Sequence, residues 1–549
     1  MPTPTVTPEL AAACADDIRR FVRETADLHD GVMPFADYKA RRAMHGSYEQ
    51  RQDGFFMVRP RMTAGILRPV EARAAAGISK ELGNGILHLT TRQDLQLHGV
   101  LERDVPEAMR RLLAAGMPCR GTGGDSPRNV AVCPLAGVCP HELFDVTPHA
   151  LALGETLLAM ADGLKLPRKF KPGFSGCDCD CAGSCIADCG FIARIRDGKR
   201  GFALYAGGGL GTSSRLADRL EEWIPEADFP KAARALLTIF ERHGDRKNRA
   251  RARLRYVFDR LGVDAVREEF RREYAAAGGI RDGLDRSVDS VGSDESKAAL
   301  TPPWRITAPA AGGLRVVRQR QPGLVSVAIR PPLGLIFSRA LERIADAAEQ
   351  FSREDALRLT PDQGFLLRSV PEERLPELAA FLGRTAAGPD AVDPEGLITV
   401  CSGASTCRLG QIDSRAFARG FAQALRAAAI PPEILEAADI RINGCTNSCA
   451  QAPVAGLGLC GVAQTGGGDA AMPHYRLLLG ARHGEGRASL NEQAALLPEA
   501  EIAGAVIALL RAWQSGRTAG EPLAEFARRI GTGRLAEILG GGRITGENA

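Results

Sequence analysis

Cys401 and Cys407, followed by Cys445 and Cys449, form a C-x5-C…C-x3-C pattern, and Cys133, Cys139, Cys177 and Cys181 repeat it 268 residues upstream. Four thiolates delivered as two short pairs from separate loops suit either a tetrahedral zinc ion or a cubane iron–sulfur cluster. Structural zinc favours tighter turns that place two sulfurs on one ion. The wider pairs here fit the corners of a [4Fe–4S] cube better, with zinc and incidental thiols as the other readings. Four coincidences at one offset also mark an internal duplication.

Composition narrows the setting of this chemistry. The chain has 549 residues, 45% of them apolar and 25% charged, which is the make-up of a globular protein with several domains. No apolar stretch is long enough to span a membrane. The N-terminal MPTPTVTPELAAACADDIRRF lacks a basic-then-apolar signal pattern, so the expectation is a cytoplasmic protein. In that setting fourteen cysteines argue for metal binding rather than a disulfide framework. A net charge of +4 does not imply nucleic acid. The run Arg242–Arg255 is locally basic but has no interleaved aromatics for base stacking. It reads as a solvated helix face or as a site for a small polyanion.

The elements that must position the thiols carry the same duplication. LHLTTRQDLQLHGV (87–100) aligns with LRLTPDQGFLLRSV (357–370) at an offset of 270, with six identities in fourteen. Each alternates apolar and polar residues and reads as one half-buried strand. Upstream of each lies a strand-like segment and then an amphipathic helix: 55–61 with 70–82, and 324–330 with 338–351. Helical patterns at 105–115 and 372–382 follow. A β-α-β-α unit occurring twice predicts two small α/β sandwiches about a pseudo-twofold axis. Glycines 207–211 and 466–468 read as turns, and the first run lacks the G-x-G-x-x-G spacing of a nucleotide loop.

ITVCSGASTCRLG, followed by NGCTNSCAQ, resembles the cluster motif of the sirohaem-containing sulfite and nitrite reductases. Further motifs resemble the same family in the same order: Gly54-Phe55-Phe56-Met57-Val58-Arg59-Pro60-Arg61, Thr90-Thr91-Arg92-Gln93, Arg128-Asn129-Val130, and Leu166-Pro167-Arg168-Lys169-Phe170-Lys171. Pro134-Leu135-Ala136-Gly137 and Pro140-His141-Glu142 are similar as well. The resemblance implies an internally duplicated α/β (α+β) fold: two ferredoxin-like half-domains forming one pseudo-twofold unit, plus two larger α/β cofactor-binding domains. The expected boundaries are 1–118 for the first half-domain with an N-terminal arm and 119–282 for the first sirohaem and substrate domain. A linker at 283–313 would lead to the second half-domain at 314–392 and the second cluster-bearing domain at 393–549.

The resemblance also implies a [4Fe–4S] cluster on Cys401, Cys407, Cys445 and Cys449, with Cys449 bridging to sirohaem. Arg92, Arg128, Lys169 and Lys171 map to the cations that grip the substrate anion. Arg59 and Arg61 alternate on one expected strand, which would aim both at the cofactor carboxylates. Gln93, Arg246, Lys247 and Arg249 are further candidates for that contact. For Cys133, Cys139, Cys177 and Cys181 two readings stay open, a second [4Fe–4S] cluster or a metal-free relic. The counterpart of Arg92 is Asp362, so one complete catalytic centre is expected.

The implied reaction is six-electron reduction of sulfite to sulfide, with nitrite to ammonia as the alternative. Retention of both lysines favours the more highly charged sulfite, whereas Asn447-Ser448 and the Pro-Leu-Ala-Gly segment resemble nitrite reductases. No flavin or nicotinamide segment is evident, which points to a ferredoxin or a separate flavoprotein as electron donor, with neither nucleic acid nor membrane as partner. Other classes considered are a synthase of cobalamin biosynthesis on the same scaffold and a zinc-binding, non-enzymatic protein.

Overall fold

The computed structural model describes residues 6–160, 165–277, 305, 307–310, 313–383, 393–465 and 471–540. The expected linker at 283–313 lies largely outside these residues, as does the glycine turn at 466–468.

The two repeated segments are hairpins rather than single strands. Ile86–Leu89 pairs antiparallel with Leu95–Leu101, and Leu357–Leu359 with Phe365–Pro371. The chain reverses where Gln93 (φ 58°) and Gln363 (φ 66°) adopt left-handed backbone conformations, which alternation alone does not reveal. Both faces of each hairpin are largely covered, so Leu87, Leu89, Leu95, Leu97, Leu357 and Leu367 are fully buried. Each contributes on the order of 2 kcal/mol by leaving water.

Each hairpin belongs to a sheet completed by the opposite half of the chain. The first runs Ser47–Glu49, Phe55–Val58, Leu95–Leu101, Ile86–Leu89 and then Leu335–Phe337. The second runs Ala308–Pro309, Arg315–Arg318, Leu324–Ile329, Phe365–Pro371, Leu357–Leu359 and then Ile66–Leu67. Leu67 faces Leu357 and Leu335 faces His88, so the halves exchange one short strand each. The exchanged strands follow equivalent kinks at Ala64 (φ 57°) and Leu333 (φ 52°). The helices Pro69–Leu82 and Ser338–Phe351 pack on each other. Both halves therefore share one hydrophobic core.

Two further sheets have matching topology and separate cores. Ala131–Val132, Pro172–Ser175 and Cys189–Arg196 are parallel, then Lys199–Ala206 and Asp218–Pro225 continue antiparallel. Thr399–Val400, Ile440–Asn443, Leu457–Thr465, Ala471–Leu479 and Glu492–Pro498 repeat the order. Cys133 and Cys401 follow the ends of the first strands, while Cys177 and Cys445 lie just past the second. The carboxyl ends of parallel strands are where open sheets leave a crevice.

Gln93 does not serve the cofactor contact expected of it. It is 1% exposed; its Nε2 donates to Val132 O and Leu359 O (both 2.9 Å), and its Oε1 accepts from Val132 N (2.9 Å). Gln363 repeats this on the other side, donating to Leu89 O (3.0 Å) and Val400 O (2.9 Å) and accepting from Val400 N (2.8 Å). Each amide thus ties the opposite half to the strand that precedes a cysteine loop. Replacing either with leucine leaves three buried backbone groups unpaired. We expect Gln93→Leu and Gln363→Leu each to destabilise the protein by roughly 2–5 kcal/mol. A clear drop in the thermal midpoint of unfolding is the measurement; an unchanged midpoint would show that the pins are dispensable.

Candidate active site

Cys401 leaves the strand Thr399–Val400 with its Sγ accepting a hydrogen bond from Gly444 N (3.1 Å) and lying 3.4 Å from Ser414 Oγ. Cys407 ends the short helix Gly403–Thr406 and bridges to Gln50 of the first half. Cys445 and Cys449 sit on a loop shaped by left-handed Ser448 (φ 55°) and Gln451 (φ 65°). Asn443 Oδ1 closes that loop by accepting from Ala450 N (2.6 Å). Cys449 is exposed, the other three are half-buried, and all four are free thiols. Burial, then the nearby Cys449 thiol, pushes Cys401 up to about 11. An iron centre bound at Cys401 would have to draw off that proton.

The cations come from the first half and meet Cys449 of the second. Thr91 Oγ1 donates to Cys449 O (2.7 Å), which fixes the two halves at this point. Burial, followed by Lys171, Arg253 and Arg128, holds the Lys169 amine well below the usual lysine range, and Cys449 is near enough to oppose that shift. Lys171 is lowered to about 7 by burial, then by Arg253 and Arg92. Among the described residues, no side-chain hydrogen bond or ion pair engages either amine. Arg128 donates to Thr122 O (3.2 Å) and Gly124 O (2.8 Å), leaving its buried Nε without a partner. The site thus holds positive charge beside two amines lowered by burial, of which Lys171 can exchange a proton near neutrality.

Several expectations change in detail. The strand ends at Val58, so Arg59 and Arg61 do not alternate on it. Arg61 is 2% exposed and clasps Gly121 O (2.8 Å) and Pro127 O (2.6 Å), bracing the loop that carries Arg128. Arg59 instead lies over the Tyr48 ring (5.3 Å) with its buried Nε unpartnered, close to Arg128. The Arg92 guanidinium is committed to backbone carbonyls, donating to Asn129 O (3.0 Å) and Pro172 O. It braces the pocket, and Arg59 has the freer donors.

The basic run is not one helix: the helix ends at His243 and a new one begins at Leu254. Arg246 donates to Lys165 O (2.8 Å), Arg249 pairs with Asp125 (2.5 Å), and exposed Lys247 makes no side-chain contact among the described residues. Sequence reasoning passed over Arg253, which is buried, as is Arg255 at the end of the run. Arg253 pairs with fully buried Asp188 (2.8 Å), whose other contact is Lys171 N (2.9 Å). Its place directly before the apolar face of the helix Leu254–Leu261 was the available signal. Tyr48 was also missed. Burial raises its pKa, yet Arg128 and Arg59 bring it below the ordinary tyrosine value.

The upstream thiols differ from their downstream counterparts in environment. Cys133, Cys139, Cys177 and Cys181 are all buried in the hydrophobic core of their domain. Cys181 is in hydrogen-bonding contact with Cys133 and Cys177, and Cys179 with Cys177. Where the second half repeats the cation site, carboxylates stand at two of the four corresponding positions. Asp439, the counterpart of Lys171, takes Arg441 (2.8 Å) and Arg305, while Asp362, the counterpart of Arg92, faces Arg330 (3.5 Å). Positive charge there is neutralised internally.

The set fits an anionic iron tetrapyrrole joined to an iron–sulfur cluster: orphaned guanidinium nitrogens for carboxylates, free thiols for iron, and both at one place. The low pKa of Lys171 gives a directional test. Below about 7 the amine is charged and attracts an anion; above it the charge is lost. Nitrite keeps its own charge across this range, so its affinity should fall about tenfold, roughly 1.4 kcal/mol, as pH rises through neutrality. Titrating nitrite binding in the parent and in Lys171→Met checks this, because the step should vanish in the variant. A step that persists would assign it to another group.

Comparison with known proteins identifies the family. The nitrite and sulphite reductase 4Fe-4S domain matches residues 123–277, and the nitrite/sulfite reductase ferredoxin-like half domain matches residues 48–115 and 317–384. The ferredoxin–nitrite reductase of Synechococcus elongatus is 30% identical over 74% of this chain and 76% of its own. The assimilatory ferredoxin-dependent nitrite reductase of Haloferax mediterranei is 28% identical over 90% of this chain and 85% of its own. Sulfite reductase [ferredoxin] 2 of Mycolicibacterium paratuberculosis is 27% identical over 82% and 80%. The solved structure of the Mycobacterium tuberculosis NirA protein superposes with a TM-score of 0.80 at 26% identity, covering 97% of this chain and 98% of that one. The chain belongs to the nitrite and sulfite reductase family, oxidoreductases that carry sirohaem and a [4Fe–4S] cluster.

Proposed function

We propose that this protein reduces sulfite to sulfide in the cytoplasm, taking electrons from ferredoxin. The observation that carries the reading is the meeting of uncommitted cations from one half with Cys449 from the other. Cys401, Cys407, Cys445 and Cys449 would hold the cluster, with Cys449, the most exposed and nearest the cations, as the ligand shared with sirohaem. Bound together, the two groups supply an iron that takes the anion and a source of single electrons beside it.

The chain's own residues do the rest. Arg59 and Arg128 offer forked guanidinium donors that hold anionic oxygens. Lys169 and Lys171, lowered by burial and by neighbouring cations, bind the anion when protonated and can release a proton to a departing oxygen. Asp188 fixes the Lys171 backbone while pairing with Arg253, so Lys171 is held without losing its own charge. Arg61 and Arg92 brace the loops that present these groups. Arg246, Lys247 and Arg249 lie at the margin, where they can meet cofactor carboxylates.

Nitrite is the second reading, favoured by Asn447-Ser448 and by relatives named for both anions. Steady-state turnover of sulfite and nitrite with a dye reductant separates the two. Lys171→Asn should lower kcat/KM for sulfite about tenfold more than for nitrite, because sulfite loses the partner of its additional charge. Equal losses would remove the preference for sulfite. Because the upstream thiols pack against one another in a closed core, we expect iron and acid-labile sulfide to correspond to one cluster plus the haem iron; twice the sulfide would assign a second cluster upstream.

A further inference from the structure

Among the described residues, Arg415 is a buried guanidinium with no carboxylate paired to it. It is 6% exposed, its Nε and Nη2 are buried without hydrogen-bond partners, and it takes part in no ion pair. Asp413, the nearby acid, is engaged in capping the helix Ser414–Ala427 through Ala416 N (3.0 Å). His88 and His98, which face Arg415 from the central sheet, are held neutral by burial. A buried unpaired charge is costly unless something nearby compensates it. The compensating group is Cys401, the acid whose ionised form favours the Arg415 charge most.

Cys401 is surrounded by positive potential from several directions. Gly444 N–H donates to its Sγ (3.1 Å), and Ser414 Oγ lies 3.4 Å from the same sulfur while also bonding Cys401 O (2.9 Å). The amino end of the helix Ser414–Ala427 stands beside it, where aligned peptide dipoles add a further positive contribution. At the upstream quartet the same offset of 268 places Val146 and Thr147 where the downstream site has Ser414 and Arg415. The serine and the arginine are therefore particular to the site that meets the substrate cations.

We infer that Arg415 and Ser414 are positioning residues that set the reduction potential of the cluster held at Cys401. Reduction adds negative charge to a cluster already anionic through its thiolates. A buried cation and hydrogen bonds to a ligand sulfur stabilise the reduced form over the oxidised one and raise the potential. The inference rests on the proposed ligation by Cys401, Cys407, Cys445 and Cys449.

The test is an EPR-monitored redox titration of the holoprotein, with iron, sulfide and sirohaem quantified in each preparation. Arg415→Gln should keep all three but shift the cluster to a more negative potential. The expected size is about a tenfold loss in the reduced-to-oxidised ratio at fixed poise, or about 59 mV for one electron. Ser414→Ala should shift it in the same direction by less, and Arg415→Lys should stay near the parent. An unchanged potential in Arg415→Gln with the cluster intact would overturn the inference. Loss of sirohaem with the cluster retained would also overturn it, because Arg415 would then be a partner of the tetrapyrrole. Should Arg415→Gln fail to assemble, Ser414→Ala decides: a negative shift supports the inference and no shift refutes it. A parent protein without iron or sulfide would instead refute the proposed function itself.

Discussion

Crowded positive charge in a place that water barely reaches is the constraint on which the rest of this molecule depends. Arg92, Arg128, Lys169, Lys171 and Arg253 repel one another, and Asp188 and Asp94 offer little negative charge in return. Such a cluster survives only if the scaffold fixes every member rigidly. Backbone carbonyls do much of this work: those of Thr122, Gly124, Asn129 and Pro172 receive the donors of Arg128 and Arg92. Gly121 and Pro127 do the same for Arg61. The loops exist in this shape because charged side chains hold them, and the charges stay because the loops hold them.

Duplication supplied the frame and divergence emptied one side of it. Both halves keep the parallel strands, the glutamine pins and the cysteine spacing. What differs is the charge at corresponding positions, reversed at two of them and absent at the others. Asp362 and Asp439 turn the second half's version of the site into a set of closed ion pairs that consume Arg305, Arg330 and Arg441. The paired side is held against itself; the unpaired side is left to attract something from outside.

Much of this was legible in the sequence because it is carried by spacing. The cysteine offset and the helices at 70–82 and 338–351 follow from residue types at fixed intervals, whereas the place of Lys169 and Lys171 was implied only by the resemblance to the family. What escaped depended on backbone conformation. A left-handed Gln93 turns one apparent strand into a hairpin, and no alternation pattern distinguishes the two. The exchange of Ile66–Leu67 and Leu335–Phe337 was invisible because strands this short carry no periodicity. The commitment of Arg92 to backbone carbonyls escaped for a similar reason: a motif names a guanidinium but not the carbonyls that occupy it. Arg253 was hidden inside a run most of whose members face solvent.

The exchanged strands have a consequence for ancestry. A single copy of the repeated unit would present an unpaired sheet edge at its hairpin and a short strand with nowhere to lie. Two identical copies meeting about a twofold axis would satisfy both needs at once, each edge receiving the other's strand in a closed, self-limiting pair. On this view the molecule is a homodimer written into one polypeptide. Fusion freed its two formerly identical sites to evolve apart, which no symmetric assembly can do.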